Sequence, residues 1–457
     1  MGVLILAVSV SAIGIYYFKK YLPAKIAPLS FPQTEGQINL PGLEGSVDIY
    51  RDSMGIPHIY AGSVHDLFFA QGYVHAQDRF WQMDTWRHIG SGELSEMFGE
   101  SQLETDTFLR TLGWRQIAEQ EYELYDKHSK EILIAYSKGV NAYLEDHHGN
   151  TLSLEYAILK LLTPDYKVKP WEPVHTLTWG KAMAWDLRAN MSEEIERAIL
   201  LKSLGPERVE ELYSPYPTDH PVIVGQQDVG SVPGFVSTDH EPMDLPQELL
   251  AAIEYKNKLL DPILGSNHGG KGSNSWAISG ELTESGSPLL ANDPHLSSQM
   301  PSIWYQVHLE CRPKTIQCPY SVTGFSFAGV PGVIIGHNED IAWGFTNVGP
   351  DVMDLFIEKV NPQNPDQYEA EGTWVDFDKR TETLQMAGGK THQITIRTTR
   401  HGPVISEVYG LLKNEGDPKD KEFLSFKDHA GVELPEKFVV TIAWTALSPS
   451  SVFEAIW

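Results

Sequence analysis

The apolar positions of this 457-residue chain change period near its middle. Over about residues 63–98, Leu67, Phe68, Ala70, Val74, Phe80, Met83 and Trp86 recur at helical spacing until "GSGE" interrupts them. The same spacing predicts helices over about residues 115–144 and 174–204. Before them, "GSVDIYRDSMGIPHIYA" reads as two short strands about a turn. Beyond Ser273 the stretches "SWAIS", "IWYQVHLE", "SVTGFSF", "GVIIG", "IAWGFT" and "THQITIRTTR" read as strands. A helical first half followed by a sheet-forming second half predicts the α+β class.

Two segments stand outside this pattern. The opening "MGVLILAVSVSAIGIYYF" carries no charge and is closed by Lys19 and Lys20. About 18 apolar residues just span a bilayer as a helix, so residues 1–22 read as a membrane anchor or as a removable export signal. The basic pair lies after the apolar run, which leaves the orientation open. Residues 213–272 are the second segment. Pro, Gly and Asp recur there, broken by the amphipathic "LPQELLAAIEYKNKLL", and the composition is that of a surface connector. The organisation expected is therefore 1–22, a helical region 23–212, a connector 213–272, and a sheet region from 273 to the end.

Composition narrows the functional classes. The formal charge is −26, which excludes a phosphate-binding surface built on clustered Lys and Arg, and hence a nucleic-acid partner. An acidic surface suits divalent cations. Cys311 and Cys318 enclose "RPKTIQ", a hairpin tip; they form one disulfide in an exported protein or two buried thiols in a reducing compartment. The G-x-S-x-G elbow, H-E-x-x-H, Walker A and G-x-G-x-x-G signatures are all missing from the sequence.

What remains is the junction "GGKGSNSWAISG", where the connector ends at Gly272 and Ser273 opens the first strand of the sheet region. A serine hydroxyl beside a flexible glycine can attack the preceding carbonyl, and water then frees the serine's amine. An α-amino group has an ordinary pKa of about 8, so the freed amine can take the hydroxyl proton near neutrality. One residue then supplies nucleophile and base. The local residues fit equally an ordinary strand-initiating serine after a glycine turn.

The wider sequence resembles the penicillin acylase family of N-terminal-nucleophile hydrolases. The resemblance is carried by "RDSMGIPHIYA", "AQGYVHAQDRFWQMDTWR", "GELSEMFGE", "GSNSW", "LLANDPHL" and "GVPGVIIGHNEDIAWGFTNVGPDVMDLF". It implies cleavage between Gly272 and Ser273, with Ser273 as nucleophile and the two resulting chains held as a heterodimer. It places His295 near the serine's amine and gives the backbone N–H of Asn347 to the oxyanion hole. Met183, Trp185 and Leu187 match the region lining the acyl pocket. Glu194, Asp351, the Met353 carbonyl and Asp354 match the ligands of one structural calcium ion, an oxygen-only set suited to that metal. The fold implied is an αββα sandwich with the mainly helical first half wrapped around it.

The family also uses an asparagine side chain and an arginine that lie further along than Trp457, so this sequence is expected to be the N-terminal part of a longer precursor. The activity implied is hydrolysis of a small acyl amide, penicillin-like, with N-acyl homoserine lactones as the alternative substrate. A different class, an uncut and inert calcium-binding shell, is the rival reading. The body is expected outside the cytoplasm, anchored through residues 1–22 or secreted.

Overall fold

Ser63 opens the longest helix. It is extended (φ −138°, ψ 159°) and its hydroxyl accepts the Asp66 N–H, capping α1 (Val64–Ser91), which ends where Gly92 turns left-handed at φ 62°. The computed structural model to which this helix belongs describes residues 14–188, 190–213, 272–296, 298–347, 351–408, 424–427 and 433–452. The expected connector thus lies outside the described residues except at its two ends, as do residues 1–13 of the expected anchor. Among the described residues no helix is long and apolar enough to cross a membrane.

After α1 come α2 (Leu94–Phe98), α3 (Leu103–Leu112), α4 (Trp114–Leu124) and α5 (Lys127–Asp146). The helix expected over residues 115–144 is two helices, because Tyr125 is extended and the Asp126 carboxylate caps the next helix by accepting from Ser129 N at 2.7 Å. Then follow α6 (Leu154–Leu162), α7 (Pro173–Arg188), α8 (Met191–Leu204) and α9 (Pro206–Leu212), so the stretch 174–204 is also divided, after Arg188. α1 and α5 cross backbone to backbone. A Cβ on Gly72 would lie 2.1 Å from Tyr136 O, and one on Gly139 would lie 1.8 Å from Phe69 O, so neither position admits a side chain.

The strands assemble mainly in the second half. One sheet has the order β1 (Asp48–Arg51), β2 (Pro57–Ala61), β5 (Trp304–Cys311), β6 (Ser321–Phe327), β7 (Ile335–His337) and β8 (Ala342–Trp343). In it β2 runs parallel to β5, so the early hairpin joins the sheet of the second half. A second sheet is built around β9 (Met353–Val360) and β10 (Glu433–Trp444), paired antiparallel from Lys437↔Val360 to Trp444↔Met353. β3 (Gly272–Ile278) and β4 (Leu289–His295) form a separate two-stranded hairpin. Cys311 and Cys318, at the end of β5 and just before β6, are joined as a disulfide.

Helices and sheets share their core. Trp86, Trp114, Trp179 and Trp185 from the helical half pack in one apolar cluster with Phe327, Ile442 and Trp444 from the sheets. The architecture is α+β, with the helices laid against the sheets.

Two polar networks are sealed inside the helical half. Asp84 accepts from Arg87 Nε at 2.7 Å, Tyr156 OH at 2.5 Å and Tyr166 OH at 2.8 Å. Burial pushes the Asp84 carboxyl up, but Arg87 and His88 outweigh it and hold the group well below the usual carboxylate range. His75 is fully enclosed, its Nδ1 2.7 Å from Tyr136 OH and its Nε2 3.1 Å from Ser326 Oγ. Burial, with a smaller contribution from Arg79, brings its pKa down to about 3.

Candidate active site

Ser273 is the second residue of β3. In the β3–β4 register it stands opposite Pro294, and Gly272 stands opposite His295. A Cβ on Gly272 would be 3.8 Å from His295 Nδ1, so the imidazole lies beside the Gly272–Ser273 peptide. The other ring nitrogen, Nε2, is 3.1 Å from Asp293 Oδ2 at the surface.

The opposing wall comes from the chain that leaves β8. Trp343 donates its indole N–H to Ile334 O at 2.9 Å, fixing the end of that strand. Four residues later the backbone N–H of Asn347 donates to Ser273 Oγ at 3.1 Å. The Asn347 side chain donates to Leu187 O at 2.7 Å, which ties this wall to the end of α7. Ser273, Asn347, Gly272 and His295 therefore meet, although 74 residues separate the serine from the donor that reaches it.

A cavity of about 600 Å³ opens at this contact. Trp179, Met183 and Leu187 face it from α7 at successive i, i+4 positions; Trp304, Phe327, Val330 and Phe345 face it from the sheet half. Among the described residues no Asp, Glu, Lys or Arg lines it. A larger cavity, about 690 Å³, lies between residues 27–34 and the middle of α1, but its Arg51 and Asp78 pair with each other at 2.8 Å and Ser273 is not part of it. Ser273, His295 and Asn347 line the smaller one.

Trp185 is a correction to the expected pocket. It is buried among Trp114, Trp444 and Phe108, with ring centroids 5.9, 5.5 and 5.6 Å away, and does not line the cavity. Two residues along a helix turn a side chain about 200° around its axis, so Met183 and Trp185 cannot share a face. The helical period starting from Met183 would have selected Trp179. Trp304, Phe327 and Val330 are supplied by the fold, and no local signal marks them.

Glu194 on α8 comes close to Asp351 and Asp354 at the start of β9. Burial first, then Asp351 and Asp354, raise the Glu194 carboxyl; burial and Asp351 raise Asp354. Asn190 sits at the same place, its amide donating to Asp351 Oδ1 at 2.6 Å and to the Met353 carbonyl at 3.1 Å. Among the described residues, two groups gather three ligand atoms within 4.8 Å, neither of them including Glu194, Asp351 or Asp354: Glu44, His65 and Asp66, and His88, Glu93 and Glu96. Both are satisfied internally. Asp66 accepts the backbone N–H groups of Glu44 and Gly45 at 2.9 and 2.8 Å, and Lys169 lies 3.4 Å from Glu93 and 2.7 Å from Glu96.

The sequence model of the penicillin amidase family matches residues 46–457. The chain belongs to the penicillin amidase family. It is 34% identical over 392 residues to the acyl-homoserine lactone acylase QuiP of Pseudomonas aeruginosa, a match covering 84% of this chain and 43% of that protein. It is 30% identical over 420 residues to the penicillin acylase 2 proenzyme of Pseudomonas sp. strain SE83, covering 90% of this chain and 48% of that one. The chain thus spans less than half the length of these relatives. Among solved structures, the thermostable penicillin G acylase of Alcaligenes faecalis in its tetragonal form is 28% identical, with a TM-score of 0.34 over 39% of this chain and 97% of that one.

Proposed function

We propose that this penicillin amidase family chain serves an amide hydrolase whose nucleophile is Ser273, exposed by cleavage of its own Gly272–Ser273 bond. The contact of Asn347 N–H with Ser273 Oγ at the mouth of an apolar cavity is the observation that carries the reading. In the first reaction Ser273 Oγ attacks the Gly272 carbonyl, the acyl group moves from nitrogen to oxygen, and water opens the ester. Gly272 leaves as a carboxylate and Ser273 gains a free amine. In turnover the hydroxyl attacks the substrate's acyl carbonyl, its proton passes to the amine and then to the departing amine of the substrate. Water then releases the acid. A backbone donor fixed before charge develops on the carbonyl oxygen lowers the barrier in both reactions, and the reading assigns that role to the Asn347 N–H beside Ser273 Oγ. His295, beside the scissile peptide, orients the amine.

The cavity wall of Trp179, Met183, Leu187, Phe327 and Val330 favours an apolar acyl chain and disfavours a charged one. Penicillins and N-acyl homoserine lactones both offer such a group. The first test is intact-mass and N-terminal sequencing of the protein: chains meeting at Gly272 and Ser273 support the reading, and a single uncut chain with no hydrolysis of any acyl amide supports the inert shell. A panel of acyl amides graded by chain length, on lactone and β-lactam amines, then assigns the substrate.

Calcium is proposed at Glu194, Asp351, Asp354 and the Met353 carbonyl. Mutually repelling carboxylates beside a carbonyl make an oxygen donor set of the kind that ion takes. When bound it supplies charge neutralisation between α8 and β9, not chemistry. Chelation should lower the melting temperature, with recovery on adding calcium but not magnesium. The Cys311–Cys318 bridge supports a body held outside the cytoplasm.

A further inference from the structure

The nucleophile and its donor stand on separate sheets. Ser273 is on the β3–β4 hairpin, whereas the segment reaching Asn347 leaves β8 of the six-stranded sheet, and the two sheets share no ladder of backbone pairs among the described residues. Besides the Ser273–Asn347 contact itself, the Asn292 side chain bridges them. Asn292, on β4 opposite Ser275, donates its amide to Asn274 O at 3.1 Å and to Phe345 O at 3.0 Å, and its Oδ1 accepts the Phe345 N–H at 3.2 Å. The primary amide thus behaves as a detached peptide group: it closes a two-way pair with Phe345 as a strand neighbour would, and grips the residue next to the nucleophile.

The segment is shaped to receive it. A Cβ on Gly344 would lie 2.7 Å from Asn292 Cβ and Cγ and 2.8 Å from its Oδ1, so only glycine lets the chain pass this close. We infer that Asn292 is a positioning residue for the proposed reaction, setting the distance between Ser273 Oγ and the Asn347 N–H by joining Asn274 to Phe345. The inference rests on Ser273 being the nucleophile. Its effect falls mainly on turnover, because Asn292 is absent from the cavity wall and holds the lining residue Phe345 by its backbone alone. A misplacement of about 1 Å at a reacting centre costs on the order of 10²-fold in rate.

The test compares the protein with its Asn292→Ala and Asn292→Asp variants in three measurements: kcat and KM on the acyl amide that the unaltered protein cuts best, the pH profile of kcat, and hydrogen exchange of the peptide spanning 343–347. Asn292→Ala should lose about 10²-fold in kcat while KM stays within about threefold, and the Phe345 amide should exchange faster. Asn292→Asp keeps the shape and the acceptor for Phe345 N–H but loses both donations while ionised. The ratio of its kcat to that of the unaltered protein at the same pH should rise as pH falls through the new carboxyl's pKa, because the protonated acid regains one of the two donations, giving an acid limb in that ratio. If Asn292→Ala does not fold, the near-isosteric Asp variant and its acid limb decide. Unchanged kcat with unchanged exchange overturns the proposal, as does a loss confined to KM. If the unaltered protein cuts no amide, the functional reading fails instead, and the exchange rate alone decides whether the clamp exists.

Discussion

Asp84 and its partners Arg87, His88 and Tyr156 are buried, with Tyr166 half-buried at their edge, whereas Ser273 rides on a hairpin whose Trp276 and Leu289 are 55% and 56% exposed. Around Asp84 every strong group meets an opposite one, and helices α1 and α6 cannot separate without uncovering charge. Around Ser273 there is little burial, and a few amide hydrogen bonds fix where the hydroxyl points. The helical half spends its polar groups on cohesion and the hairpin spends them on aim. A change in the first should therefore be read in the melting curve, and a change in the second in the reaction.

The sharpest break of that contrast is Ser273→Ala. It should abolish both chain cleavage and amide hydrolysis and leave the unfolding midpoint of the uncut chain unmoved, checked by intact mass, turnover assay and denaturant titration; an alanine variant that is still cut ends the proposal. Asp84→Ala is its mirror image. Removing the carboxylate leaves Arg87 and His88 buried without compensation, at about 3–5 kcal/mol of stability, while kcat per folded molecule holds. Replacing Cys311 and Cys318 by serine opens a short loop and should cost roughly 2–3 kcal/mol with the same indifference of kcat. The smallest effect is graded. His75 is held neutral with its pKa brought down to about 3, so the unfolded chain binds a proton that the folded one refuses. The contribution of His75 to stability is full above about pH 6.5 and falls toward pH 3 with a slope of up to about 1.4 kcal/mol per pH unit, a contribution that His75→Gln should remove.

The two regions also differed in how plainly the sequence announced them. Helix α1 was legible at both ends, since Ser63 precedes the periodic run and Gly92 closes it. The break at Asp126 was not, because apolar spacing continues across it and a single cap decides the matter. In the hairpin, β4 was hidden by its own chemistry: Asn292, Asp293 and Pro294 are turn-forming types, and they enter a strand because β3 pairs with them. Ser273 and Asn347 were singled out through the motifs that surround them. Trp185 was misplaced because a run of neighbouring residues was assigned to one wall although a helix distributes neighbours around its axis. Asn292 carried no signal of its own; its importance lies in a contact across 53 residues of chain.

The side chain of Asn347 holds the carbonyl of Leu187, and its backbone faces the serine. Any lineage that reshapes the end of α7 to admit a longer or shorter guest also tugs on the amide that faces Ser273. Taste and tempo in such an enzyme would drift together, and a laboratory search for new selectivity should harvest slow variants first and recover speed only with compensating changes near residue 347.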